Sequence, residues 1–495
     1  MQLKELASLL VGAVTEGDPA TEITGLATDS RRVEPGDLFI CLPGSAYDGH
    51  QFAGQALERG AAALVVDRKL DGIQAPMIRV KDTRLAMAVM ASHFYGYPSR
   101  ELKVIGITGT NGKTTVSYLI EKILADQGRS TGLMGTIRMK IGGRAYDVKN
   151  TTQEALELQR HFRAMREAGA EYCIMEVSSH ALEQGRVKGT RFRTAVFTNL
   201  TQDHLDYHRT MERYKQAKGL LFSRLGNTYA ASPDERQYAV LNADDEASAD
   251  YAAMTAAQVV TYGIERPADV RAEAVTVHAG GARFRVSTFA GSCEVRLRLA
   301  GKFNVYNALA AIAVGLLEGI PLPRIRDSLE AVEGVEGRFE LIREGQDFHV
   351  IVDYAHTPDS LENVLATISE IAEARIICVF GCGGDRDRTK RPLMGEIAAR
   401  YSDYCIVTSD NPRSEDPEQI LRDIEDGMLR AGVERSQYEK IVDRRQAIEK
   451  AVAMAGPRDV VLIAGKGHET YQETKGVRVH FDDREVARQA IRSRS

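Results

Sequence analysis

Short apolar runs rich in β-branched residues alternate with helix-period runs along most of the chain. From residue 103 onward, eight of the apolar runs read KVIGIT, YCIMEV, TAVFTN, YAVLN, FHVIVDYA, RIICVFG, DYCIVTS and VVLIAG. Strands separated by helical segments in this way predict βαβ units and parallel sheets. The fold class predicted from the pattern is therefore α/β.

Polar, chemically capable sequence follows each predicted strand. These segments read GTNGKTT, SSH, LTQDHLD, NADD, HTP, GCGGDRDR, DNPR and GKGHE. Ligands of open α/β sheets bind beyond the carboxyl ends of the strands. The polar segments therefore predict two facing sites, one for each of two sheets.

Two breaks in composition predict domain boundaries. With 495 residues the chain is long enough for two or three domains. Gly- and Pro-containing sequence interrupts the periodic pattern at GYPSR (96–100) and at EGVEGR (333–338). We predict three domains, at 1–100, 101–335 and 336–495.

The overall charge and the cysteines exclude several classes of protein. Acidic residues outnumber basic ones 69 to 64, and a net charge of -5 gives no field that would attract nucleic acid or a membrane surface. The six cysteines form no CxxC pair, so a disulfide or zinc framework is not expected. The N-terminal segment lacks a basic region, and no run of about 18 apolar residues occurs. We expect a cytoplasmic protein without nucleic acid partners or membrane insertion.

The stretch ITGTNGKTT (107–115) has the composition of a phosphate-binding loop. Its glycines would let backbone N–H groups approach phosphate oxygens, Lys113 would add positive charge, and the Thr114 hydroxyl could ligate Mg²⁺. The strict GxxxxGK[ST] pattern fails, because its first position falls on Ile107. The strand–turn–helix context nevertheless favours nucleotide binding over an ordinary Gly-rich turn.

Three residues beyond this loop are candidates for metal binding. Glu176 ends one predicted strand and His204 follows another, so a carboxylate and an imidazole could hold Mg²⁺ beside nucleotide phosphates. Taken alone, each is better explained as a capping or hydrogen-bonding group, and the phosphate loop is what favours metal binding. Lys218 lies on a helical pattern and could simply face solvent. An unmodified ammonium has no lone pair, so Lys218 could ligate a metal only as a carbamate.

Three loops of the last segment carry a second set of candidate residues. Arg386, Arg413 and Glu469 follow strands in GCGGDRDR, DNPR and GKGHE. Each loop could be only a turn, since Asn-Pro and Gly-Gly are common in loops. Charged residues at three corresponding strand ends together predict a small-molecule site.

Ten motifs in order resemble the Mur ligases of peptidoglycan synthesis. They read GTNGKTT, EVSSHALEQGR, TNLTQDHLDYH, YKQAKGLLF, GKFNVYNALAA, EGRFE, DYAHTP, GCGGDRDRTKRPLM, DNPR and GKGHE. The similarity extends from DSRRVEPGDLF near residue 30 to residue 469, nearly the whole chain. Within the family the motifs are most similar to the members that add meso-2,6-diaminopimelate to UDP-N-acetylmuramoyl-L-alanyl-D-glutamate.

The resemblance implies an architecture and a reaction. It implies an N-terminal domain for the UDP moiety, a central P-loop-type ATPase sheet, and a C-terminal Rossmann-like domain for the incoming amino acid. ATP would phosphorylate the terminal carboxylate of the substrate, and the amino group would attack the resulting acyl phosphate. A monomeric cytoplasmic enzyme of cell wall biogenesis is expected, with ATP and Mg²⁺ as cofactors and a part in cell shape and division.

The resemblance also assigns residues to ligands. The ATP set is Gly109, Thr110, Asn111, Gly112, Lys113, Thr114, Thr115, Asn304, Asn307, Arg338 and Asp353. Thr114 and Glu176 would hold one Mg²⁺, and Glu176, His204 and a carbamylated Lys218 the second; Lys113 completes the catalytic set. The UDP-dipeptide set is Ser30, Thr151, Thr152, Ser178, Gln184 and Arg186. The diaminopimelate set is Arg386, Asp410, Asn411, Pro412, Arg413, Gly465 and Glu469.

One departure from the family pattern and three alternatives remain. The usual TTP appears as TTQ, so Gln153 replaces a proline that would pre-set the backbone beside the two threonines. The alternatives are an L-lysine-adding homologue, a folylpolyglutamate synthase-like ligase and a nucleotide switch that forms no bond. DNPR argues against the first, and the long N-terminal region argues against the second. A switch would hydrolyse ATP independently of any amino acid.

Overall fold

The computed structural model describes residues 1–44, 47–148, 150–227, 232–278 and 280–494. The chain divides into two compact units. The first comprises Met1–Gly106 and Arg129–Arg193, and the second comprises Ile107–Gly128 and Thr194–Ser495.

Sixteen α-helices occur in the described residues. In chain order they are α1 (Leu3–Ser8), α2 (Ala53–Glu58), α3 (Thr83–Phe94), α4 (Lys113–Asp126), α5 (Ala155–Glu167), α6 (Ser179–Glu183), α7 (Leu205–His208), α8 (Met211–Ser223), α9 (Ala247–Met254), α10 (Lys302–Leu317), α11 (Leu322–Glu330), α12 (Pro358–Ile371), α13 (Lys390–Tyr401), α14 (Pro417–Arg430), α15 (Arg444–Met454) and α16 (Asp483–Arg494). Within the described part of the chain, no helix is both long enough and apolar enough to cross a membrane.

Twenty-four strands accompany these helices. In chain order they are β1 (Val14–Glu16), β2 (Gly25–Ala27), β3 (Asp37–Ile40), β4 (Ala63–Val66), β5 (Met77–Arg79), β6 (Lys103–Thr108), β7 (Thr131–Met134), β8 (Met139–Ile141), β9 (Arg144–Tyr146), β10 (Tyr172–Glu176), β11 (Phe192–Phe197), β12 (Tyr238–Asn242), β13 (Gln258–Gly263), β14 (Val270–His278), β15 (Gly281–Thr288), β16 (Gly291–Leu297), β17 (Glu340–Ile342), β18 (His349–Asp353), β19 (Ile376–Phe380), β20 (Tyr404–Thr408), β21 (Tyr438–Ile441), β22 (Val460–Ala464), β23 (Tyr471–Thr474) and β24 (Val477–His480). The eight apolar runs predicted as strands are β6, β10, β11, β12, β18, β19, β20 and β22.

The first unit contains a five-stranded sheet in the order β1-β5-β4-β3-β2. Its strands are parallel except for β1, which pairs antiparallel with β5. Alternate residues of β3 and β4 enter two different cores, with Leu38 and Val65 on one face and Phe39 and Leu64 on the other. Both faces of this sheet are therefore buried, as expected for a parallel sheet covered by helices.

The first unit also contains the strands that precede and follow α5. β10 pairs parallel with β7, while β7, β8 and β9 form an antiparallel ribbon. β6 is shared by the two units, because the division falls between Gly106 and Ile107.

In the second unit, β11, β12, β13 and β14 follow one another as parallel neighbours. β14, β15 and β16 then form an antiparallel meander, with a register shift between Glu273 and Thr276. The sequence pattern predicts β11 and β12 but neither β13 nor this meander, whose polar residues face solvent on one side and interrupt the apolar runs.

The C-terminal sheet has the order β17-β18-β22-β19-β20-β21. Only β17 is antiparallel to its neighbour. Alternate strand residues again pack into two cores, with Cys378 and Leu462 on one face and Ile377 and Val461 on the other. Because parallel strands end at the same edge, the loops after β18, β19, β20 and β22 lie together there.

Candidate active site

The loop between β6 and α4 has the geometry of a phosphate cradle. Gly109 and Gly112 have φ angles of 150° and 86°. A Cβ atom at Gly109 would lie 1.8 Å from Thr198 Oγ1, and one at Gly112 would lie 2.4 Å from Asn307 Oδ1. Only glycine fits these positions, and α4 begins directly after them at Lys113. The backbone N–H groups at the start of α4 therefore point toward a position suited to an anion.

Lys113 folds back over this loop. Its Nζ donates hydrogen bonds to the carbonyl oxygens of Gly109 (2.9 Å) and Thr110 (2.7 Å). The ammonium is thus held beside the loop, where it adds positive charge to the helix N-terminus.

A cavity of about 380 Å³ opens next to this loop, within the second unit. The predicted ATP residues that line it are Asn111, Gly112, Thr115, Asn307, Arg338 and Asp353. Asn304 does not line the cavity. It is buried, and its Oδ1 accepts a hydrogen bond from Asn307 Nδ2 (3.1 Å), so it fixes the orientation of Asn307.

Arg338 connects the linker after α11 to the phosphate loop. Its Nη2 donates to Thr114 Oγ1 (3.0 Å), and its guanidinium lies over the ring of Tyr354 at 4.5 Å. The Nε atom is buried and has no hydrogen-bond partner among the described residues. An unpaired buried donor beside an anion cradle fits a phosphate ligand.

Asp353, at the end of β18, is a second buried ionisable group of the cavity. Its Oδ2 accepts a hydrogen bond from the Phe339 N–H (2.6 Å). Burial raises the pKa of Asp353 to about 6, although the nearby charge of Arg338 acts in the opposite direction. The carboxyl is therefore an acceptor at neutral pH.

Lys218 is buried in α8 beneath the phosphate loop. Its Nζ donates to the Gly109 carbonyl (2.8 Å) and lies 4.3 Å from the centre of the Tyr214 ring. Burial and the charge of Lys113 hold the pKa of Lys218 well below its ordinary value. The solvated helix face considered from sequence is therefore wrong for Lys218, which is only 1% exposed.

His204 lies in a left-handed conformation, with φ 57°, directly before α7. Its Nε2 is 3.3 Å from Oδ2 of the neighbouring Asp203. Burial alone would raise the pKa of Asp203, but the charges of His204 and Lys390 outweigh it and hold that pKa below its usual range. Asp203 therefore stays ionised beside the imidazole.

Lys390 connects this region to the C-terminal sheet. Its Nζ donates to the His356 carbonyl (2.9 Å) and lies 4.0 Å from Asp203 Oδ1. Burial and the Lys390 charge lower the pKa of His356 to about 4, so this imidazole is neutral at pH 7. The motifs GCGGDRDRTKRPLM and DYAHTP contain these residues, but sequence reasoning did not single them out.

No group of three or more His, Cys, Asp or Glu side chains in the described ranges is arranged to hold a metal ion. In the second unit, the candidate metal ligands are Thr114, His204 and Lys218. Glu176 belongs to the first unit, where its carboxylate accepts hydrogen bonds from the Thr136 N–H (2.8 Å) and hydroxyl (2.9 Å).

Five of the six predicted UDP-dipeptide residues lie in one stretch of the first unit. Thr152 Oγ1 donates to the Glu176 carbonyl (2.9 Å) and accepts from the Ser178 N–H (3.0 Å). Arg186 donates to the Thr152 carbonyl (2.9 Å) and, through Nε (3.0 Å) and Nη2 (2.7 Å), to Gln184 Oε1. The side chains around Thr152 are thus positioned by mutual hydrogen bonds.

Thr151 and Ser30 of this set form hydrogen bonds with other partners. Thr151 Oγ1 lies 3.1 Å from Thr136 Oγ1. Ser30, in the N-terminal part, donates instead to Gln55 Oε1 (2.7 Å). Gln153 replaces the expected proline, and its Oε1 atom lies 2.6 Å from His161 Nδ1. Gln153 is therefore anchored through its side chain and lacks the fixed φ angle of a proline.

The loops after β20 and β22 form a buried polar cluster. Asn411 Nδ2 donates to Glu469 Oε2 (2.8 Å), and Lys466 Nζ donates to both Asn411 Oδ1 and Glu469 Oε2 at 3.2 Å. Lys466 is fully buried and was not predicted as a site residue. Lys466 lies between the predicted residues Gly465 and Glu469 in GKGHE, and this position could have identified it from the sequence.

Charges within this cluster oppose one another. Burial and the neighbouring Asp410 carboxylate raise the pKa of Glu469, although Lys466 acts against them. Burial would also raise the pKa of Asp410, but Lys466, Arg444 and Arg413 together lower it. A negative charge is therefore concentrated on Asp410, at the edge where the strands end.

Arg413 and Arg386 lie on the two loops that border this cluster. Arg413 Nη1 donates to the Gly384 carbonyl (2.7 Å). No ion pair involves Arg413 in the part of the chain that the structure describes, and the nearby carboxylates Glu415 and Asp416 pair with other arginines. Arg386 is exposed, and its Nη1 donates to the carbonyl of Asp385 (2.9 Å).

Three family models match the chain. They are the Mur ligase family catalytic domain over residues 22–95, the Mur ligase middle domain over 107–315, and the Mur ligase glutamate ligase domain over 337–467. The chain belongs to the Mur ligase family. The three matched segments give this Mur ligase an N-terminal, a middle ATPase and a C-terminal domain, each with its own sheet, so the predicted fold class is confirmed.

Relatives of this Mur ligase match it over nearly full length. It is 54% identical to a protein of Halalkalibacterium halodurans over 97% of this chain and 96% of the relative, and 53% identical to one of Geobacillus kaustophilus over 100% of both. Both are UDP-N-acetylmuramoyl-L-alanyl-D-glutamate–2,6-diaminopimelate ligases. A solved structure of a ligase of that name is 35% identical, with a TM-score of 0.68, over 100% of this chain and 99% of the other.

Several residues that line the 380 Å³ cavity beside the phosphate loop of this Mur ligase were missed by sequence reasoning. They are Thr198, Asn199, Asn242, Tyr262, Lys302, Phe303, Tyr306, Tyr354, Asp359, Ser360, Asn363 and Val364. Asp359 is the clearest case, because its Oδ2 accepts a hydrogen bond from Asn111 Nδ2 (2.6 Å) of the phosphate loop. Asp359 directly follows the motif DYAHTP, and this position could have identified it from the sequence.

Proposed function

We propose that this Mur ligase adds meso-2,6-diaminopimelate to UDP-N-acetylmuramoyl-L-alanyl-D-glutamate with the hydrolysis of ATP, as a step of peptidoglycan precursor synthesis. The relatives that bear this activity in their names support the proposal over the full length of the chain. The observation that carries it is the buried cluster of Asp410, Asn411, Lys466 and Glu469 beside Arg413, whose guanidinium has no carboxylate partner in the described residues.

The amino acid would bind at this cluster by charge complementarity. The Asp410 and Glu469 carboxylates and the Asn411 amide would receive an ammonium group, and Gly465 would allow close approach. Arg413, helped by Arg386 and by the backbone at Pro412, would bind a carboxylate. A guanidinium binds a carboxylate through two charge-assisted bonds, so the free donors of Arg413 suit an amino acid with a second carboxylate.

The reaction would proceed in two transfers. A carboxylate oxygen of the UDP-dipeptide attacks the γ-phosphorus of ATP, which gives an acyl phosphate and releases ADP. The amino group then attacks the acyl carbon, phosphate leaves, and the nitrogen loses a proton as the amide forms. The first transfer makes the second feasible, because phosphate is a far better leaving group than oxide or hydroxide.

The second unit would supply the ATP site. The backbone from Gly109 to Thr115 would hold the triphosphate, and Lys113 would neutralise charge that develops on the transferred phosphoryl group. Asn307, held by Asn304, would face the adenine. Arg338 would contact the phosphates, and the ionised Asp353 would accept a hydrogen bond from the ribose.

Magnesium is the metal that suits the candidate ligands. The Thr114 hydroxyl, the His204 imidazole and a carbamate on Lys218 would supply oxygen and nitrogen donors, and Glu176 of the first unit is the further carboxylate that the family implies. Burial and the charge of Lys113 lower the pKa of the Lys218 amine, which favours the neutral form that reacts with CO₂. Bound Mg²⁺ would offset the negative charge of the phosphates.

The first unit would bind the UDP-dipeptide. Ser30 would contact the UDP group. Thr151, Thr152, Ser178, Gln184 and Arg186 would bind the muramoyl dipeptide, and their mutual hydrogen bonds already hold four of them in fixed orientations. We further propose domain boundaries at 1–100, 101–335 and 336–495, in agreement with the segments that the family models match, and a monomer in the cytoplasm.

One assay tests the proposal against its alternatives. Phosphate release from ATP is measured with UDP-N-acetylmuramoyl-L-alanyl-D-glutamate and either meso-diaminopimelate, L-lysine or no amino acid. Release that requires both the dipeptide and diaminopimelate is expected. Release with the dipeptide and L-lysine, but not with diaminopimelate, would indicate the lysine-adding homologue. Release without any amino acid would indicate a nucleotide switch. Activity on a folate with glutamate would indicate a folylpolyglutamate synthase.

A further inference from the structure

A short hairpin near the C-terminus is not used by the mechanism above. Strands β23 and β24 are joined by the two residues Lys475 and Gly476, with φ angles of 49° and 78°. Two positive φ angles at the centre of a two-residue loop are typical of a type I′ turn, which matches the twist of paired strands. The hairpin begins two residues after Glu469, and its first strand packs against the loop that carries Arg413.

Arg413 has an unfavourable backbone conformation that the hairpin maintains. Its φ angle of 51° lies in the left-handed region, which a residue with a long side chain rarely adopts. The Arg413 N–H donates to the Glu473 carbonyl (3.0 Å), and the Lys475 N–H donates to the Arg413 carbonyl (2.6 Å). The backbone of Arg413 is thus paired on both sides with the hairpin.

Gln472 is the side chain that connects the hairpin to the start of the same loop. Its Nε2 donates to the carbonyl oxygens of Asp410 (2.8 Å) and Ser409 (3.4 Å). The next residue, Glu473, donates its N–H to Asn411 Oδ1 (3.0 Å). From residue 409 to residue 413, the loop is therefore attached to the hairpin at every position but Pro412.

We propose that Gln472 is a positioning residue for amino-acid selection: it fixes the 409–413 loop so that Arg413 presents its guanidinium to the distal carboxylate of the incoming amino acid. This inference rests on the amino-acid site proposed above. Without the Gln472 amide, the Asp410 and Ser409 carbonyls lose their donor, and only backbone pairing opposes relaxation of Arg413 out of the left-handed region.

The experiment compares steady-state constants of full-length variants. Gln472→Met keeps the length of the side chain and removes both donors. It should raise the KM for meso-diaminopimelate about tenfold, as expected for a lost side-chain hydrogen bond, with the KM values for ATP and UDP-dipeptide and the melting temperature unchanged. Val479→Thr is the matched control, because Val479 lies on the same hairpin and is 54% exposed. It should behave as wild type.

A double-mutant cycle separates positioning from general destabilisation. In an Arg413→Ala background, Gln472→Met should change the KM for diaminopimelate less than about threefold, since the residue that it positions is already gone. The inference would be overturned by a full tenfold effect in that background, by an unchanged KM in the single variant, or by a parallel rise in all three KM values. If Arg413→Ala itself leaves the KM unchanged, the proposed amino-acid site fails instead.

Discussion

Arg338 donates a hydrogen bond to Thr114, and the two residues are 224 positions apart in the chain. The bond joins the linker before the C-terminal sheet to the first turn of α4. Arg338 also carries a buried Nε donor without a partner in the described residues. The cavity beside the phosphate loop, which we propose binds ATP, is therefore completed by a residue from outside the phosphate-loop segment.

Removal of this guanidinium should weaken nucleotide binding. Arg338→Ala should raise the KM for ATP roughly tenfold or more, because charge-assisted hydrogen bonds contribute about 1.5–3 kcal/mol. Arg343→Ala is the control, since Arg343 is exposed and lies nearby in the chain. Initial rates over a range of ATP concentrations test this. Equal KM values in wild type and Arg338→Ala would show that Arg338 does not contact ATP.

Lys113 should dominate the stabilisation of the transferring phosphate. Lys113→Ala should lower kcat by roughly a hundredfold or more, the scale seen when one stabilising donor is removed. Lys122→Ala, on the same helix, should keep wild-type turnover, because Lys122 pairs with Asp126 at the surface. A folded Lys113→Ala protein with normal turnover would contradict the assignment of the loop.

The enzyme should be active only when Lys218 is carbamylated. Lys218→Ala should be nearly inactive and partly rescued by small carboxylates such as formate or acetate, which can replace the missing oxygen donors. Lys215→Ala, one turn earlier on α8, is the control. Activity should also fall when CO₂ is removed from the buffer and return with bicarbonate. Full activity of Lys218→Ala would rule out this role.

Asp353 should make stability depend on pH between about 4 and 7. Its folded-state pKa of about 6 lies above the ordinary value of 3.8, so the folded protein binds this proton more tightly than the unfolded chain. The stabilisation is complete below about pH 4 and is lost as the pH rises through 6, by roughly 3 kcal/mol for a shift of about two units.

Comparison with Asp353→Asn isolates this contribution. The variant cannot ionise, so its melting temperature should rise relative to that of the wild type as the pH is raised from 4 to 7. Calorimetry at several pH values measures the difference. A constant offset between the two proteins across that range would mean that Asp353 has an ordinary pKa.

Arg413 should select diaminopimelate over L-lysine. Wild type should favour diaminopimelate by about 10⁴ or more in kcat/KM, because a site built around a polar partner rejects an analogue that lacks it. Arg413→Ala should lose most of this selectivity through poorer use of diaminopimelate, whereas Arg422→Ala, on an exposed face of α14, should retain it. Efficient L-lysine addition by the wild type would contradict the assignment.

The sequence alone determined eight strands and the phosphate loop of this Mur ligase. Alternation of apolar runs predicted β6, β10, β11, β12, β18, β19, β20 and β22, and the polar residues after them proved to lie at strand ends. The phosphate loop was also predictable, because its conformation depends on glycines within a few residues of one another. The strands and the phosphate loop both depend on residues close together in the chain, so sequence patterns and motifs were sufficient to predict them.

The tertiary structure decided which distant residues meet. Lys466 between Asn411 and Glu469, Asp359 against Asn111, and Arg338 on Thr114 join segments whose local patterns carry no information about one another. The burial of Lys218 could not be predicted either, because a lysine within a helical pattern can lie on a buried or on a solvated face. Partners of this kind follow from strand order and from packing across the sheets, and these are properties of the folded chain as a whole.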